Sequence, residues 1–284
     1  MEETGKPKKK SGKAIYIIIL LLLLAVFAVS AGLLIKYWVE SLQSQQTYDD
    51  IKNAVGSYTR PALGETRPQN DPTEPTVDPF VTVTDPKTGA RFRVLSQFAE
   101  LYGQNPDLVG WISIPGTKVD YPVVQRPESV DYYLNRDFYG KYNSHGCIYV
   151  REVCDVFRPS DNITMYGHRM QDMSMFAELT KLTDRQYLAE NPYIYFDTLT
   201  EYHTYKVIYV LTTTASVGGG GFEYHQFVDA ASQADFDEFI RSCEAWQLFD
   251  TGDTAQLGDK LITLSTCEYT HENGRLVVVA KRVD

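Results

Sequence analysis

Leu261-Ile262-Thr263-Leu264-Ser265-Thr266-Cys267 is a run of aliphatic and β-branched residues that ends at a cysteine and a polar loop. After seven intervening residues, Glu268 to Gly274, a second run extends from Arg275 to Val283. Aliphatic and β-branched residues favour strands, and two strands joined by a short loop pair as a hairpin. In such a hairpin Cys267 and Arg275 flank the loop mouth, and their side chains can approach each other.

Further short strands are predicted upstream of this hairpin. They lie at 109–114, 119–124, 147–151, 162–166, 193–197 and 202–214. Helical spacing or helix-forming composition is confined to 98–102, 173–182 and 232–246. Many short strands with few helices predict a mainly β fold, a closed or nearly closed barrel with peripheral helices on its rim.

An uncharged apolar stretch of 22 residues, Ala14 to Ile35, precedes everything else. As a helix it is about 33 Å long, enough to cross a bilayer core of roughly 30 Å. Five lysines stand in residues 1–13, so the positive-inside rule keeps this tail cytoplasmic and the rest of the chain extracellular. A cleaved signal peptide is the alternative, with small residues near Ala28 as a cleavage site.

The segment at 36–80 differs in composition from both its neighbours. Its first part, 36–56, is polar with scattered apolar positions and could extend the helix, whereas five prolines fall among acidic and polar residues from Ser57 to Pro79. A segment with so few aliphatic residues cannot bury enough apolar surface to fold, so a stalk or linker is predicted. The catalytic or binding domain is then expected at 81–284.

The charge of the chain excludes one class of function. The formal net charge is −10 over 284 residues, and without residues 1–13 it becomes −13. A domain that binds nucleic acid needs clustered Lys and Arg to neutralise phosphates, and no such stripe is present. No nucleic-acid partner is therefore expected.

The chain has four cysteines, and an even number in an exported protein first indicates disulfides. A bridge between Cys147 and Cys154 is one such possibility. Cys243 lies on the apolar face of a predicted helix, where a thiol acts as a small hydrophobic group. Cys267 differs because it ends a strand beside a loop, the position expected of a nucleophile.

Among the five histidines, His168 has the most suggestive position, since the strand Asn162 to Tyr166 runs through Gly167 into it. Imidazole titrates near neutral pH and is the usual partner of a cysteine nucleophile. His271, four residues after Cys267, is the rival for this role. A zinc site made by His145, Cys147, Cys154 and His168 is a further alternative, although their spacing fits no common motif.

Three segments together resemble the signature of the sortases. They are Thr263-Leu264-Ser265-Thr266-Cys267, Tyr166-Gly167-His168 and the strand headed by Arg275. The stretch from Asn105 to Thr117, the run Ser174-Met175-Phe176 and a helix at 232–246 resemble class B sortases in particular. The resemblance covers roughly residues 92–284 and implies a sortase-like closed β-barrel.

The resemblance also implies a mechanism. Cys267 attacks the carbonyl after threonine in a C-terminal sorting signal, giving a thioacyl-enzyme, and His168 protonates the departing amine. Arg275 stabilises the oxyanion, with Thr266, Ser265 and Glu268 as substrate-binding or oxyanion residues. An amine of peptidoglycan or of a pilin subunit then receives the surface protein. No cofactor and no metal are implied.

Two other functions remain open from the residues themselves. A membrane-anchored adhesin or assembly scaffold without catalysis would make Cys267 merely structural, and an acidic, tyrosine-rich exterior would suit binding. A secreted cysteine peptidase would end the reaction in hydrolysis. The resemblance to the sortases, together with the apolar N-terminal helix, predicts a single-pass membrane protein with an extracellular catalytic domain.

Overall fold

The computed structural model describes residues 11–56, 78–214, 220–268 and 274–284, without the side chains of residues 11, 12, 14, 267 and 268. Outside this part of the chain lie residues 1–10 of the predicted tail at 1–13, residues 57–77 of the predicted linker at 36–80, residues 215–219, and residues 269–273, which include His271. The helices are α1 (Ser11–Val55), α2 (Ala99–Gln104), α3 (Arg185–Glu190) and α4 (Gln233–Trp246). The strands are β1 (Phe80–Thr84), β2 (Arg91–Leu95), β3 (Leu108–Ser113), β4 (Asp120–Val124), β5 (Ile148–Val150), β6 (Asn162–Tyr166), β7 (Tyr193–Thr198), β8 (Thr204–Thr214), β9 (Leu261–Glu268) and β10 (Gly274–Arg282).

Eight of these strands close into a barrel in the order β10-β8-β7-β3-β4-β5-β6-β9. The pairs β4–β5 and β6–β9 are parallel, and the other neighbours are antiparallel. The predicted mainly β barrel is confirmed, including the hairpin of β9 and β10. The hairpin of β1 and β2 forms a separate two-stranded sheet that the sequence did not predict.

Apolar residues from nearly every strand fill the barrel, and a smaller cluster lies under α4. Phe236, Phe239, Ile240 and Cys243 of α4 are buried, together with residues of β8, β9 and β10. This cover explains why β8 is buried on both faces rather than alternating. The side chain of Ser232 caps α4 by accepting a hydrogen bond from the backbone N–H of Asp235.

The region predicted as a helix at 173–182 forms a different structure. A 3-10 helix spans Ala177–Thr183, and the residues before it belong to an irregular loop. Met173 and Met175 have positive φ angles of 63° and 54°, which are incompatible with an α-helix. The apolar spacing is real, since Met175, Phe176, Leu179 and Leu182 are all buried, but it serves a loop followed by a tighter helix.

The apolar N-terminal stretch forms the first part of α1. Large apolar side chains from Ile15 to Ile35 are exposed, and the mean hydropathy reaches 3.1 over the most apolar window of 18 residues. Within the described residues this is the one helix that is long and apolar enough to cross a membrane. It is therefore a candidate membrane span.

The chain divides into two compact units, Met1–Gln45 and Gln46–Asp284. The last turns of α1 belong to the second unit, where Tyr48 and Ile51 are 3% and 1% exposed. The Tyr48 hydroxyl donates a hydrogen bond of 2.6 Å to the carbonyl of Gly146. The folded unit that contains the barrel therefore includes residues that the sequence assigned to a linker, while the domain boundary at residue 81 stays a prediction.

Candidate active site

Strand register brings the three predicted catalytic positions to one end of the barrel. In the antiparallel pair β9–β10, Cys267 is the Cα partner of Arg275. On its other side β9 pairs in parallel with β6, where Tyr166 is opposite Ser265. The backbone N–H of Gly167 continues this pairing with a 3.2 Å bond to the Ser265 carbonyl, and His168 follows at once. Cys267 and Arg275 thus lie on adjacent strands, and His168 follows the end of β6, the other neighbour of β9. Adjacent strands are about 4.8 Å apart.

Gly167 is required at the position before the histidine. A Cβ atom there would lie 2.5 Å from Cδ1 of Ile148 and 2.7 Å from the ring of Phe176. Such distances are far below van der Waals contact, so any side chain would push β6 away from these neighbours. The glycine lets the chain pass close to the core and sets the position of His168.

The imidazole of His168 is half-buried and its orientation is fixed by a backbone carbonyl. Its Nε2 lies 2.7 Å from the carbonyl oxygen of Leu134. A carbonyl only accepts hydrogen bonds, so Nε2 carries a proton and Nδ1 is the nitrogen left to exchange protons in the site. The carbonyl of His168 in turn accepts a 2.9 Å bond from the N–H of Phe176.

Next to His168 is a cavity of about 270 Å³, which Ser265, Thr266 and Arg275 also line. Ser265 and Thr266 are each 2% exposed. The Ser265 hydroxyl forms a 2.6 Å hydrogen bond with the Tyr224 hydroxyl, while Oγ1 of Thr266 is buried without a partner among the described residues. The two residues predicted to bind substrate therefore lie in the cavity, one tied to the wall and one with unused hydrogen-bonding capacity.

Arg275 supplies the positive charge at this end of the barrel. Its side chain is half-buried, and Nη1 donates a 3.0 Å bond to the carbonyl of Gly274. A guanidinium stays protonated at any physiological pH and offers several N–H donors in one plane. It can therefore bind a carbonyl oxygen or an oxyanion in the cavity without a proton transfer.

The cavity lining also contains a tyrosine and an aspartate, Tyr149 and Asp131, that the sequence did not predict. The Tyr149 hydroxyl donates a 2.7 Å bond to Oδ1 of Asp131, and the Tyr149 ring lies 5.4 Å from that of Tyr166. Burial raises the pKa of both tyrosines well above the usual value, so both remain neutral. No sequence signal links Asp131 to this site, because the contact depends on the positive φ of 52° at that residue.

His225 also lines the cavity, and no sequence pattern singles it out. Its backbone carbonyl accepts a hydrogen bond from the Arg151 guanidinium. Burial lowers the pKa of the His225 imidazole, and the charge of Arg151 lowers it further. Tyr224 and His225 reach the cavity from a 3-10 turn, Tyr224–Gln226, between β8 and α4. Their segment has no periodic pattern from which this position could be predicted.

The other three cysteines are buried thiols of low reactivity. Cys147, Cys154 and Cys243 are free and buried, so the alternative of a Cys147–Cys154 disulfide is not seen. Burial raises the pKa of Cys147 to about 12 and also raises the pKa of Cys154 and Cys243. Among the described residues no group of three His, Cys, Asp or Glu side chains is arranged to hold a metal ion.

Comparison with known proteins places this arrangement in a family. A profile of the Sortase domain matches residues 112–283. Sortase B of Listeria monocytogenes is 30% identical over 204 residues, which cover 69% of this chain and 78% of that protein. Sortase B of Staphylococcus aureus is 29% identical over 190 residues, covering 66% of this chain and 75% of that protein.

Solved structures give the same result. The crystal structure of sortase B from B. anthracis in complex with AAEK1 superposes with a TM-score of 0.67 at 28% identity, covering 87% of this chain and 99% of that one. A Staphylococcus aureus sortase B–substrate complex superposes with a TM-score of 0.61 at 28% identity, covering 67% of this chain and 86% of that one. The chain belongs to the sortase family and is most like the class B sortases. It is an enzyme of the sortase kind, with the transpeptidase function of that family in general terms.

Proposed function

We propose that this protein is a cysteine transpeptidase that cleaves a C-terminal sorting signal after threonine and transfers the surface protein to a cell-wall amine. The observation that carries the proposal is the pairing of Cys267 with Arg275 at the barrel end where His168 follows β6, beside a cavity of about 270 Å³. The solved substrate complex of the Staphylococcus aureus relative supports a substrate-binding role for this protein as well.

Acylation begins when the Cys267 thiol transfers its proton to Nδ1 of His168 and the resulting thiolate attacks the threonine carbonyl. The oxyanion receives hydrogen bonds from the Arg275 guanidinium and from the backbone N–H of Glu268. When the C–N bond breaks, the leaving amine takes a proton from His168. Because Nε2 of His168 donates to the Leu134 carbonyl, the proton passes through Nδ1. The product is a thioester between Cys267 and the surface protein.

Deacylation reverses these roles. An amino group of a peptidoglycan precursor, of a cross-bridge or of a pilin subunit attacks the thioester, and His168 removes its proton. Cys267 leaves as a thiolate and a new amide bond forms. Ser265 and Thr266 line the cavity, and we assign them to the acyl part of the substrate.

The location of the enzyme follows from α1. We assign its apolar part as a single-pass anchor, with residues 1–13 in the cytoplasm and the barrel outside the cell. The five lysines before the helix support this orientation through the positive-inside rule.

The full chain in detergent, incubated with a library of Thr-containing peptides and an amine nucleophile, tests this function. Transpeptidation predicts an amide product that contains the amine and a rate that increases with amine concentration. Hydrolysis alone, unaffected by any amine supplied, would contradict the transfer step and would favour a cysteine peptidase. No cleavage by the wild type with any peptide would contradict the enzymatic assignment.

A further inference from the structure

The loop that carries His168 is closed on itself. We call residues 168–176 the histidine loop. Its two ends are joined by the bond from the Phe176 N–H to the His168 carbonyl, and Arg169 and Met175 form a β-bridge next to it. Two non-glycine residues in the loop, Met173 and Met175, have positive φ angles, a conformation that persists only where surrounding contacts enforce it.

Asp172 supplies one such set of contacts inside the loop. Its Oδ1 accepts bonds of 3.0 Å from the backbone N–H and 2.5 Å from the hydroxyl of Ser174. Its Oδ2 lies 3.0 Å from Nε2 of His145. One carboxylate therefore holds the turn at Ser174 and connects the histidine loop to a residue outside it.

His145 is a buried side chain that the catalytic scheme does not use. It is 0% exposed, and its backbone N–H donates a 2.8 Å bond to the side chain of Asn143. Because a carboxylate only accepts hydrogen bonds, Nε2 of His145 carries the proton in this contact. The pair is therefore a directed bond from a buried imidazole to the histidine loop.

The residues after His145 also pack against the Leu134 carbonyl, which accepts the hydrogen bond from His168. Gly146 packs so closely against residues 133–134 that a Cβ atom would lie 2.5 Å from the Leu134 carbonyl oxygen. The N–H of Cys147 donates a 3.1 Å bond to the Tyr133 carbonyl. The Leu134 carbonyl is the acceptor for Nε2 of His168. Residues 145–147 therefore contact both the histidine loop, through Asp172, and the segment that carries this carbonyl.

We propose that His145 and Asp172 form a positioning pair that holds the His168 imidazole against the Leu134 carbonyl and keeps Nδ1 directed into the cavity. Neither residue touches the reacting atoms, and both act through His168. The inference rests on the proposed function, since it requires His168 to transfer the proton. It adds a specific support that the sequence pattern around His168 does not contain.

The test is single-turnover acylation of the full chain in detergent, measured by mass spectrometry. The substrate is the peptide that the wild type cleaves from the library of Thr-containing peptides. His145→Leu removes the donor at nearly constant volume, and Asp172→Ala removes the acceptor. Each should slow acylation by roughly 10- to 100-fold, as expected for a misplaced catalytic group, with KM changed much less than kcat. His145→Gln places an N–H near the position of Nε2 and should restore most of the rate.

Asp161→Ala is the matched control. The side chain of Asp161 is 17% exposed, against 14% for that of Asp172. Like Asp172, it accepts hydrogen bonds from both a side chain and a backbone N–H, here those of Lys260 and Ala230. It precedes the first residue of β6, at the opposite end of the strand from His168. A positioning role predicts acylation within about 2-fold of the wild type for this variant, since losing a distant carboxylate misplaces no catalytic group.

A mutant cycle separates positioning from general stability. In the His168→Ala background, His145→Leu and Asp172→Ala should cause no further loss of the residual acylation, because the group they position is gone. Equal losses in both backgrounds, an Asp161→Ala loss as large as that of Asp172→Ala, or failure of all the His145 variants to fold would overturn the proposal. A normal rate for His168→Ala itself would instead contradict the proposed function.

Discussion

Arg275 is the register partner of Cys267 across the antiparallel strands β9 and β10, at the barrel end where β6 delivers His168. Register is set by the backbone, so these positions are neighbours whatever their rotamers. The loop between them, 269–273, lies outside the described residues, yet the strands on both sides pair to its base. The barrel thus provides the proximity that the proposed chemistry requires.

Arg275→Lys should lower the rate of acylation by roughly 10²-fold, on the scale of a lost oxyanion donor. Lysine keeps the charge but loses the planar pair of N–H groups that can bind one carbonyl oxygen. Alkylation of Cys267 by a small reagent develops no oxyanion, so its rate should change much less. Arg282→Lys, at the other end of β10, is the control and should leave both rates unchanged. An equal fall in acylation and alkylation for Arg275→Lys would refute the oxyanion role.

Native protein should take up one equivalent of iodoacetamide at pH 8, on Cys267, although the chain has four cysteines. Burial shields Cys147, Cys154 and Cys243 and raises their pKa values, to about 12 for Cys147. At a pH below its pKa a thiol is mostly protonated, and a raised pKa lowers the thiolate fraction further. These three thiols should therefore stay unmodified when the pH is raised to 9. Intact mass before and after unfolding gives the count. Modification of any cysteine in folded Cys267→Ala would contradict the prediction.

Gly167→Ala should reduce the free energy of unfolding by about 1–3 kcal/mol, the usual cost of overpacking a core. It should also slow acylation, since the displaced chain carries His168. Ile148→Val removes the Cδ1 atom that the new methyl group meets at 2.5 Å and should recover part of both losses. Gly103→Ala, where nothing lies within 4 Å, is the control. Denaturant unfolding and acylation rates provide the readouts, and full activity in Gly167→Ala would mean that the close contact does not position His168.

Two truncations test where the folded unit begins. A chain starting at Gln46 keeps Tyr48 and Ile51, whereas one starting at residue 81 exposes the surfaces that they cover. Burying two such side chains contributes about 3–6 kcal/mol, so the shorter chain should be markedly less stable. Thermal unfolding and activity of both chains distinguish the cases. Equal stability would place the boundary at residue 81, as composition alone predicts.

Much of the fold follows from local pattern. The aliphatic run that ends at Cys267 and the charged start of β10 at Arg275 predicted the hairpin, because strand propensity and a polar loop act over a few residues. The bend at Asp131 and the loop between His168 and Phe176 were missed, because positive φ angles at Asp131, Met173 and Met175 are enforced by tertiary contacts. Such contacts cannot be predicted from the neighbouring residues in the sequence.

The roles of buried polar residues were equally hidden from the sequence. The sequence suggested His145 only as one possible zinc ligand, whereas its side chain is fully buried against Asp172, which lies 27 residues further along the chain. Tyr224 and Ser265 are 41 residues apart and share a 2.6 Å bond. Pairings across such distances depend on the closed barrel, so they become visible only in three dimensions.

The role of Cys267 as nucleophile is tested by the intact mass of the full chain after incubation with a sorting-signal peptide, followed by peptide mapping. We expect an increase equal to the acyl fragment ending in threonine, located on Cys267, lost on treatment with hydroxylamine and absent in Cys267→Ala. An adduct on Cys147, Cys154 or Cys243, or cleavage of the peptide by Cys267→Ala at the wild-type rate, would contradict it.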